Sequence, residues 1–305
     1  MPTSSPDVVE RTVRDAITHL RTWKRDERRA PHKPLLLLFA LARIQRSEPR
    51  LVDFVEAEPI LAGLLDRFGP TRGATHPLYP FWYLRNDGLW DLPNSDELPL
   101  RSGNKEPKIS AVRERHLEGG FPPAVYDLLR SRPQLVVELA REILDEHFAE
   151  SLHEDISEAA GLDLTVVSLS RRKPRPPGFR DAVLRAYGYR CAICGFQALL
   201  DGSAIGVEAA HVRWHAYDGP STVDNGLALC VLHHKLFDLG VFGVSPRRTL
   251  MVTSRVSGEA ETARLVLRHL DQPVASPQAG ISPVAERHSE WHLKQVFKSP
   301  PRVAM

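Results

Sequence analysis

The longest wholly apolar run, Leu35 to Ala42, falls far short of the roughly 20 residues a helix needs to span a bilayer. The opening stretch, MPTSSPDVVER, has neither the basic segment nor the apolar core of a secretory signal. Three cysteines, an odd and small number, argue against a disulfide framework and for a reducing compartment. No internal repeat is visible at periods of about 20–50 residues. These absences lead us to expect a cytoplasmic globular protein. At about 150 residues per domain, 305 residues suggest two domains. Apolar residues at 42% and charged residues at 26% exclude disordered and fibrous classes.

Net charge is only +2, but it is unevenly spread. Residues 1–165 hold 22 Lys+Arg and 27 Asp+Glu, and residues 166–305 hold 18 and 11. A basic C-terminal half suits a partner bearing phosphates, although a solvated basic surface would look the same.

Ser5, Pro6 and Asp7 read as a helix start, with Val9, Val13, Ile17 and Leu20 on its apolar face. A basic stretch, Lys24, Arg25, Arg28 and Arg29, leads to His32-Lys33-Pro34. Pro34 suits a first helical position, and Leu35 to Ile44 read as a buried helix. Asp53 to Phe68 suggest two helical pieces divided at Pro59. Phe81–Leu84 and Leu89–Leu92 flank Asn86-Asp87-Gly88 and read as a hairpin. Helices are expected at 122–130, 133–148 and 151–160, and again at 179–187, and the Pro- and Ser-rich tail from Asp271 reads as a surface loop as far as Trp291–Phe297. Ile205–Ala210 has the length and branching of a strand. The basic, Pro-rich stretch 166–178 is the expected linker, dividing residues 1–165 from 179–305.

All three cysteines fall in one pattern, Cys191-x2-Cys194 and Cys230-x2-His233. Two short-spaced pairs on tight turns can close a tetrahedral site, and thiolate with imidazole favours zinc over magnesium or calcium. A lone Cys-x-x-Cys also fits a redox pair, but that reading leaves Cys230 and His233 without a role. Four protein ligands leave no open position, so this zinc is expected to staple the fold. Between the pairs lie Glu208-Ala-Ala-His211 and Asn225, and His234 follows the second pair directly.

Glu208-Ala-Ala-His211-Val, Asn225-Gly-Leu-Ala-Leu-Cys230 and His233-His234-Lys235-Leu-Phe237-Asp238 resemble the HNH endonucleases, and more narrowly the McrA-like restriction endonucleases. The resemblance covers most of residues 179–245 and implies a ββα-metal core. It implies that His211 is the general base, as the near-neutral titration of histidine suits. His234 would hold a catalytic Mg²⁺ or Mn²⁺, and Asn225 would orient the loop. Where many members carry a metal ligand just before the base, this chain has Ala210. Glu208 is the nearest carboxylate, but strand alternation sets it opposite His211, so a metal role needs a bulge or an indirect contact. Asp238 is an alternative acidic neighbour. Arg213, Trp214 and His215 are candidates to line DNA, and Arg190 and Lys235 to contact phosphates.

In the other half, His32-Lys33-Pro34-Leu-Leu-Leu-Leu, Tyr79-Pro80-Phe81-Trp82-Tyr83-Leu84 and Gly88-Leu89-Trp90 resemble the sulfur-binding domain of phosphorothioate-dependent restriction endonucleases. Such a domain implies DNA contacts at His32, Lys33, Tyr79, Pro80 and Tyr83. Sulfur is larger and a poorer hydrogen-bond acceptor than oxygen. An apolar pocket with a cationic rim therefore favours phosphorothioate and penalises phosphate. Arginine would serve at Lys33 with a stronger, bidentate grip. Packing of the aromatic run on the Leu35–Leu38 helix is the better account of Phe81 and Trp90.

The expected architecture is α+β: a mainly helical DNA-recognition domain with a small hairpin, then a zinc-stapled ββα-metal nuclease domain. The expected function is modification-dependent restriction of phosphorothioated double-stranded DNA. Alternatives are an HNH endonuclease dependent on another modification such as methylcytosine, or an inactive zinc-stapled DNA-binding module. The joint presence of His211, Asn225 and His234 counts against the last. One such centre cuts one strand at a time, so double-strand cleavage points to a homodimer.

Overall fold

A computed structural model describes residues 5–20, 31–70, 76–101, 106–164 and 178–303. The basic stretch Lys24 to Arg29 and all of the expected linker except Gly178 lie outside the described residues. Among the described residues, no helix is long and apolar enough to cross a membrane. Contacts divide the chain into two units near Ser170–Arg171, and the short segment Phe148–Leu152 belongs with the second.

The first unit is built around α2 (His32–Gln45), after α1 (Pro6–Thr18). Leu35 to Leu38 are fully buried, because a helix apolar on every side must be surrounded. Its neighbours are α3 (Phe54–Phe68), α4 (Leu78–Tyr83), α6 (Pro123–Ser131), α7 (Pro133–His147) and α8 (His153–Ala160). Between them, α5 (Ile109–Glu114) precedes β2 (Glu118–Gly120), which pairs antiparallel with β1 (Leu51–Asp53).

Several local expectations are corrected. Ser5 makes no side-chain cap bond at α1. Helix α2 begins at His32, so His32 and Lys33 sit inside its first turn rather than before it. Pro34 is tolerated there because first-turn N–H groups have no helical partner. Helix α3 runs unbroken through Pro59: losing one bond is outweighed by the buried row Phe54, Ala57, Leu61, Leu64, Leu65 and Phe68. The Asn86-Asp87-Gly88 hairpin does not form. Leu78, Phe81 and Trp82 recur at helical spacing and are buried in α4, and a 3-10 turn, Leu84–Asp87, follows. Gly88, at φ 73°, ends that turn, a conformation glycine adopts without strain. The small sheet of this unit is β1–β2 instead.

Besides Phe148–Leu152, the second unit contains α9 (Phe179–Ala186), which packs on β5 (Val207–His211) and β6 (Gly226–Cys230). The strand expected over 205–210 is shared between two pairings. Strand β3 (Ala198–Leu200) pairs with β4 (Ser203–Ile205), whereas β5 pairs with β6 from Val207↔Cys230 to His211↔Gly226. Helix α10 (Val231–Asp238) follows β6 directly, giving a strand–loop–strand–helix unit. Strands β7 (Phe242–Val244) and β8 (Leu250–Val252) pair beyond it, followed by α11 (Ala260–Leu265) and α12 (Glu286–Gln295). Helix α12 begins at Glu286, inside the stretch expected to loop as far as Trp291.

Candidate active site, metal centre and nucleic-acid interface

Cys191 and Cys194 lie on a tight turn after α9, closed by the Gly195 N–H donating to Cys191 O at 2.8 Å. Gly195 takes φ 74°, the left-handed geometry such a turn needs. Cys230 ends β6, and His233 stands in the first turn of α10. The four ligand atoms lie within 4.8 Å of one another. His233 Nδ1 is 3.5 Å from Cys191 Sγ and 3.3 Å from Cys230 Sγ, and Nε2 donates to Leu265 O at 3.0 Å. That outer bond turns Nδ1 to the thiols, the arrangement of a metal-ligating imidazole.

The Cys191 thiol is held down at about 3, chiefly by the bond from Cys230, with burial opposing and His233 assisting. Cys230 is pushed up, as the partner of that thiolate and by burial. Burial also raises Cys194. The three thiols cannot all ionise together without a cation between them. The donor set therefore fits a metal ion, and its softness suits zinc.

Beside this cluster the HNH residues converge on the β5–β6–α10 unit. His211 ends β5; its Nε2 is 3.2 Å from Ser221 Oγ, and its ring stacks on Phe179 at 4.0 Å. Asn225 is fully buried. Its Oδ1 accepts from Arg213 N at 2.8 Å, and its Nδ2 donates to Arg213 O and Pro220 O at 2.9 Å. The side chain thus ties both ends of the loop that carries the chain from β5 back to β6.

His234 faces two carboxylates. Nδ1 is 2.7 Å from Glu208 Oε2, and Nε2 is 3.2 Å from Asp238 Oδ2. Burial pulls His234 down, but the charges and bonds of Asp238 and Glu208 outweigh it and push it up to about 9. Burial would raise Asp238, yet His234 holds it below the usual carboxylate range. Glu208 needs no bulge, for the β5–β6 register is unbroken; it meets the site across α10, through His234. An imidazole and a half-exposed carboxylate on one open side are a fitting donor pair for a divalent ion.

Other candidates are placed differently. Lys235 donates to Ser151 O, which answers its charge locally instead of presenting it to a phosphate. Arg213 Nε donates to Tyr217 O at 2.8 Å, so its guanidinium braces its own loop. Trp214 is buried and donates from Nε1 to Asp238 Oδ1 at 3.1 Å. His215 and Arg190 are exposed. Sequence reasoning missed Ser221 and Phe179, because nothing in their spacing marks them as neighbours of His211.

In the first unit, His32, Tyr79 and Tyr83 form an aromatic row. Tyr79 and Tyr83 are 4.7 Å apart by ring centroids, and His32 meets Tyr79 edge-on at 6.1 Å. Tyr79 is 40% exposed, and burial followed by Glu106 raises both phenols. Pro80, on the same helix as Tyr79 and Tyr83, is buried. Lys33 is buried as well, with Nζ 2.5 Å from Asp87 Oδ2 and side chains only 8% and 2% exposed. Asp87, which read as a turn residue, is the ion-pair partner of Lys33. Nearby, the Arg85 guanidinium lies 3.7 Å over the Trp82 ring.

Comparison with known proteins gives each half a family. Residues 10–165 match the ScoMcrA-like DNA sulfur-binding domain, and residues 191–245 match the HNH endonuclease domain. Among solved structures, the sulfur-binding domain of ScoMcrA complexed with phosphorothioated DNA is 26% identical, with TM-score 0.44. That match covers 48% of this chain and 94% of that one. The corresponding SprMcrA domain is 25% identical, with TM-score 0.42, covering 53% and 97%. Against the Type IV phosphorothioation-dependent restriction endonuclease ScoMcrA, identity is 27% and TM-score 0.42. There the match covers 57% of this chain but only 38% of that one. A search of curated proteins gave no match. The sulfur-binding match alone takes in more than half of the residues, and the chain belongs to the ScoMcrA-like DNA sulfur-binding domain family, joined here to an HNH endonuclease domain.

Proposed function

We propose that this protein is a restriction endonuclease that binds phosphorothioated double-stranded DNA through residues 1–165 and hydrolyses nearby phosphodiester bonds through residues 179–305. The observation that carries this reading is the presence, on one chain, of a sulfur-binding domain and of His211, Asn225 and His234 in one strand–strand–helix unit.

Recognition rests on the aromatic row. Tyr79 and Tyr83, with His32 against them, offer a polarisable surface on which sulfur loses little by leaving water. A phosphate oxygen there would be desolvated without a partner. Lys33, neutralised by Asp87, fixes the floor of this region and gives the pocket little net charge. Sulfur preference thus comes from desolvation more than from cation count.

In the nuclease unit, Cys191, Cys194, Cys230 and His233 would hold a zinc ion that staples the fold. His211, held by Ser221 and Phe179, takes the proton of the attacking water as general base. Asn225 keeps the loop before β6 in place, and with it Ser221. His234 and Glu208 would hold a divalent ion, Mg²⁺ or Mn²⁺, which when bound would supply charge neutralisation at the scissile phosphate and leaving oxygen. One centre serves one strand, so a double-strand break uses two copies of the chain.

The test is cleavage of matched plasmids with and without phosphorothioate, in Mg²⁺ or Mn²⁺. Cutting of the modified plasmid alone supports the reading. Equal cutting of both plasmids removes sulfur dependence, and cutting of a methylated plasmid alone favours a base-modification reader. No cutting with stable binding makes the protein a DNA-binding module.

A further inference from the structure

Asp238 is the last residue of α10, four residues after His234, and its side chain is 3% exposed. Three donors converge on that carboxylate. Trp214 Nε1 donates to Oδ1 at 3.1 Å, the Ser151 hydroxyl donates to Oδ2, and His234 Nε2 lies 3.2 Å from Oδ2. On the opposite edge of the same imidazole, Nδ1 faces Glu208, whose side chain is 49% exposed. The two carboxylates therefore differ in kind. Asp238 has both oxygens engaged and is closed to solvent, so an ion beside it would have no room for water or phosphate. The Glu208 edge is open to both.

We propose that Asp238 is a positioning residue that holds the His234 proton on Nε2 and so reserves Nδ1, beside Glu208, for the catalytic divalent ion. The inference rests on the reading of His234 as a ligand of that ion. A neutral imidazole carries one proton, and a carboxylate lone pair beside Nε2 requires that the proton stay there. When an ion takes the place of a proton on His234, the proton that leaves is the one on the Glu208 edge. Trp214 and Ser151 act one step further out, fixing the carboxylate that fixes the ring. The indole matters most, because its N–H can only donate and so demands an acceptor oxygen at the Oδ1 position.

That demand makes Asp238→Asn a sharp test in the full-length, zinc-loaded protein. Trp214 keeps the amide oxygen at the Oδ1 position, which turns the NH₂ group toward His234. The imidazole must then accept at Nε2 and carry its proton on Nδ1, blocking the ion. We expect Mn²⁺ affinity, measured by titration calorimetry without DNA, to fall about 10–100-fold. Zinc content and binding of a phosphorothioate duplex stay at wild-type values. Adding Trp214→Phe removes the constraint, lets the amide turn over, and restores part of the Mn²⁺ affinity, which a purely structural role would not do. His234→Ala is the control for the underlying reading and should lose Mn²⁺ binding at least as strongly. Wild-type Mn²⁺ affinity in Asp238→Asn, with loss in His234→Ala, overturns the positioning role alone. Wild-type affinity in both overturns the ligand reading, and this inference with it. If Asp238→Asn loses its zinc, ¹⁵N-histidine NMR of the wild-type protein with saturating Mg²⁺ decides. A proton on Nε2 of His234 supports the proposal, and a proton on Nδ1 overturns it.

Discussion

The two units of this chain are held together by different means. The first surrounds a helix that is apolar on all sides, α2, with five others, and it contains none of the three cysteines. The second has described strands of only three to five residues, too short to build a stable sheet alone, and it gathers every cysteine at one cluster. Their functional residues differ in the same way. The candidate recognition row is partly exposed aromatic surface in the same unit as a buried ion pair, whereas the candidate nuclease centre joins buried Asn225 and Asp238 to a half-exposed Glu208. A large apolar core can carry a solvent-facing site with little further support; a small core that must hold histidines in fixed orientations needs a metal and many hydrogen bonds.

The sharpest way to break that contrast is to remove the metal. Structural zinc contributes on the order of 10 kcal/mol to small domains, so a chelator, or Cys194→Ala, should unfold the second unit and spare the first. Calorimetry should show one transition lost and the other unmoved; a joint loss would mean that the units share one core. Next in size, His211→Ala should lower the cleavage rate by about 10²–10⁴-fold. Zinc content and duplex affinity should be unchanged, because a general base acts in the transition state. Retention of near wild-type cleavage removes the role assigned to His211.

The buried ion pair tests the first unit on its own terms. Lys33→Met strands the Asp87 carboxylate and should cost about 3–5 kcal/mol in urea unfolding, most of it recovered in Lys33→Met/Asp87→Leu. A small loss in the single variant would mean that Lys33 serves DNA more than the fold. Alkaline pH probes the second unit. Burial pushes Tyr187 up to about 12, so its neutral form is favoured in the folded state. The contribution, about 2–3 kcal/mol, is fully present below pH 10 and lost as pH rises toward 12. Tyr187→Phe should flatten that limb of the stability curve. Smallest, Tyr79→Ala should reduce the preference for phosphorothioate over phosphate about tenfold, or about 1.4 kcal/mol, and that ratio should resist added salt while overall affinity falls. Pure sulfur diastereomers are required, since a pocket on one side of the backbone reaches one of them.

The candidate metal cluster is legible in the sequence because its information is local. Cys191-x2-Cys194 and Cys230-x2-His233 fix two pairs of ligands by turn geometry alone. An eight-residue apolar run cannot be anything but a buried element. His211, Asn225 and His234 are named through the resemblance to HNH endonucleases, whose order of residues they match within that frame. Secondary structure near prolines and glycines was less legible. Pro59 and Asn86-Asp87-Gly88 carry breaker and turn signals whose effect depends on what surrounds them, and packing against α2 kept both regions helical. Asp238 stands one turn after His234 on the same helix, so helical spacing alone sets that pair. Glu208 comes from a strand and reaches the other edge of the ring only through the tertiary structure. The same holds for Lys33 and Asp87, and for Phe179 on His211: each pair is far apart in sequence, and only closure of the core brings its members within hydrogen-bond or ring-contact range.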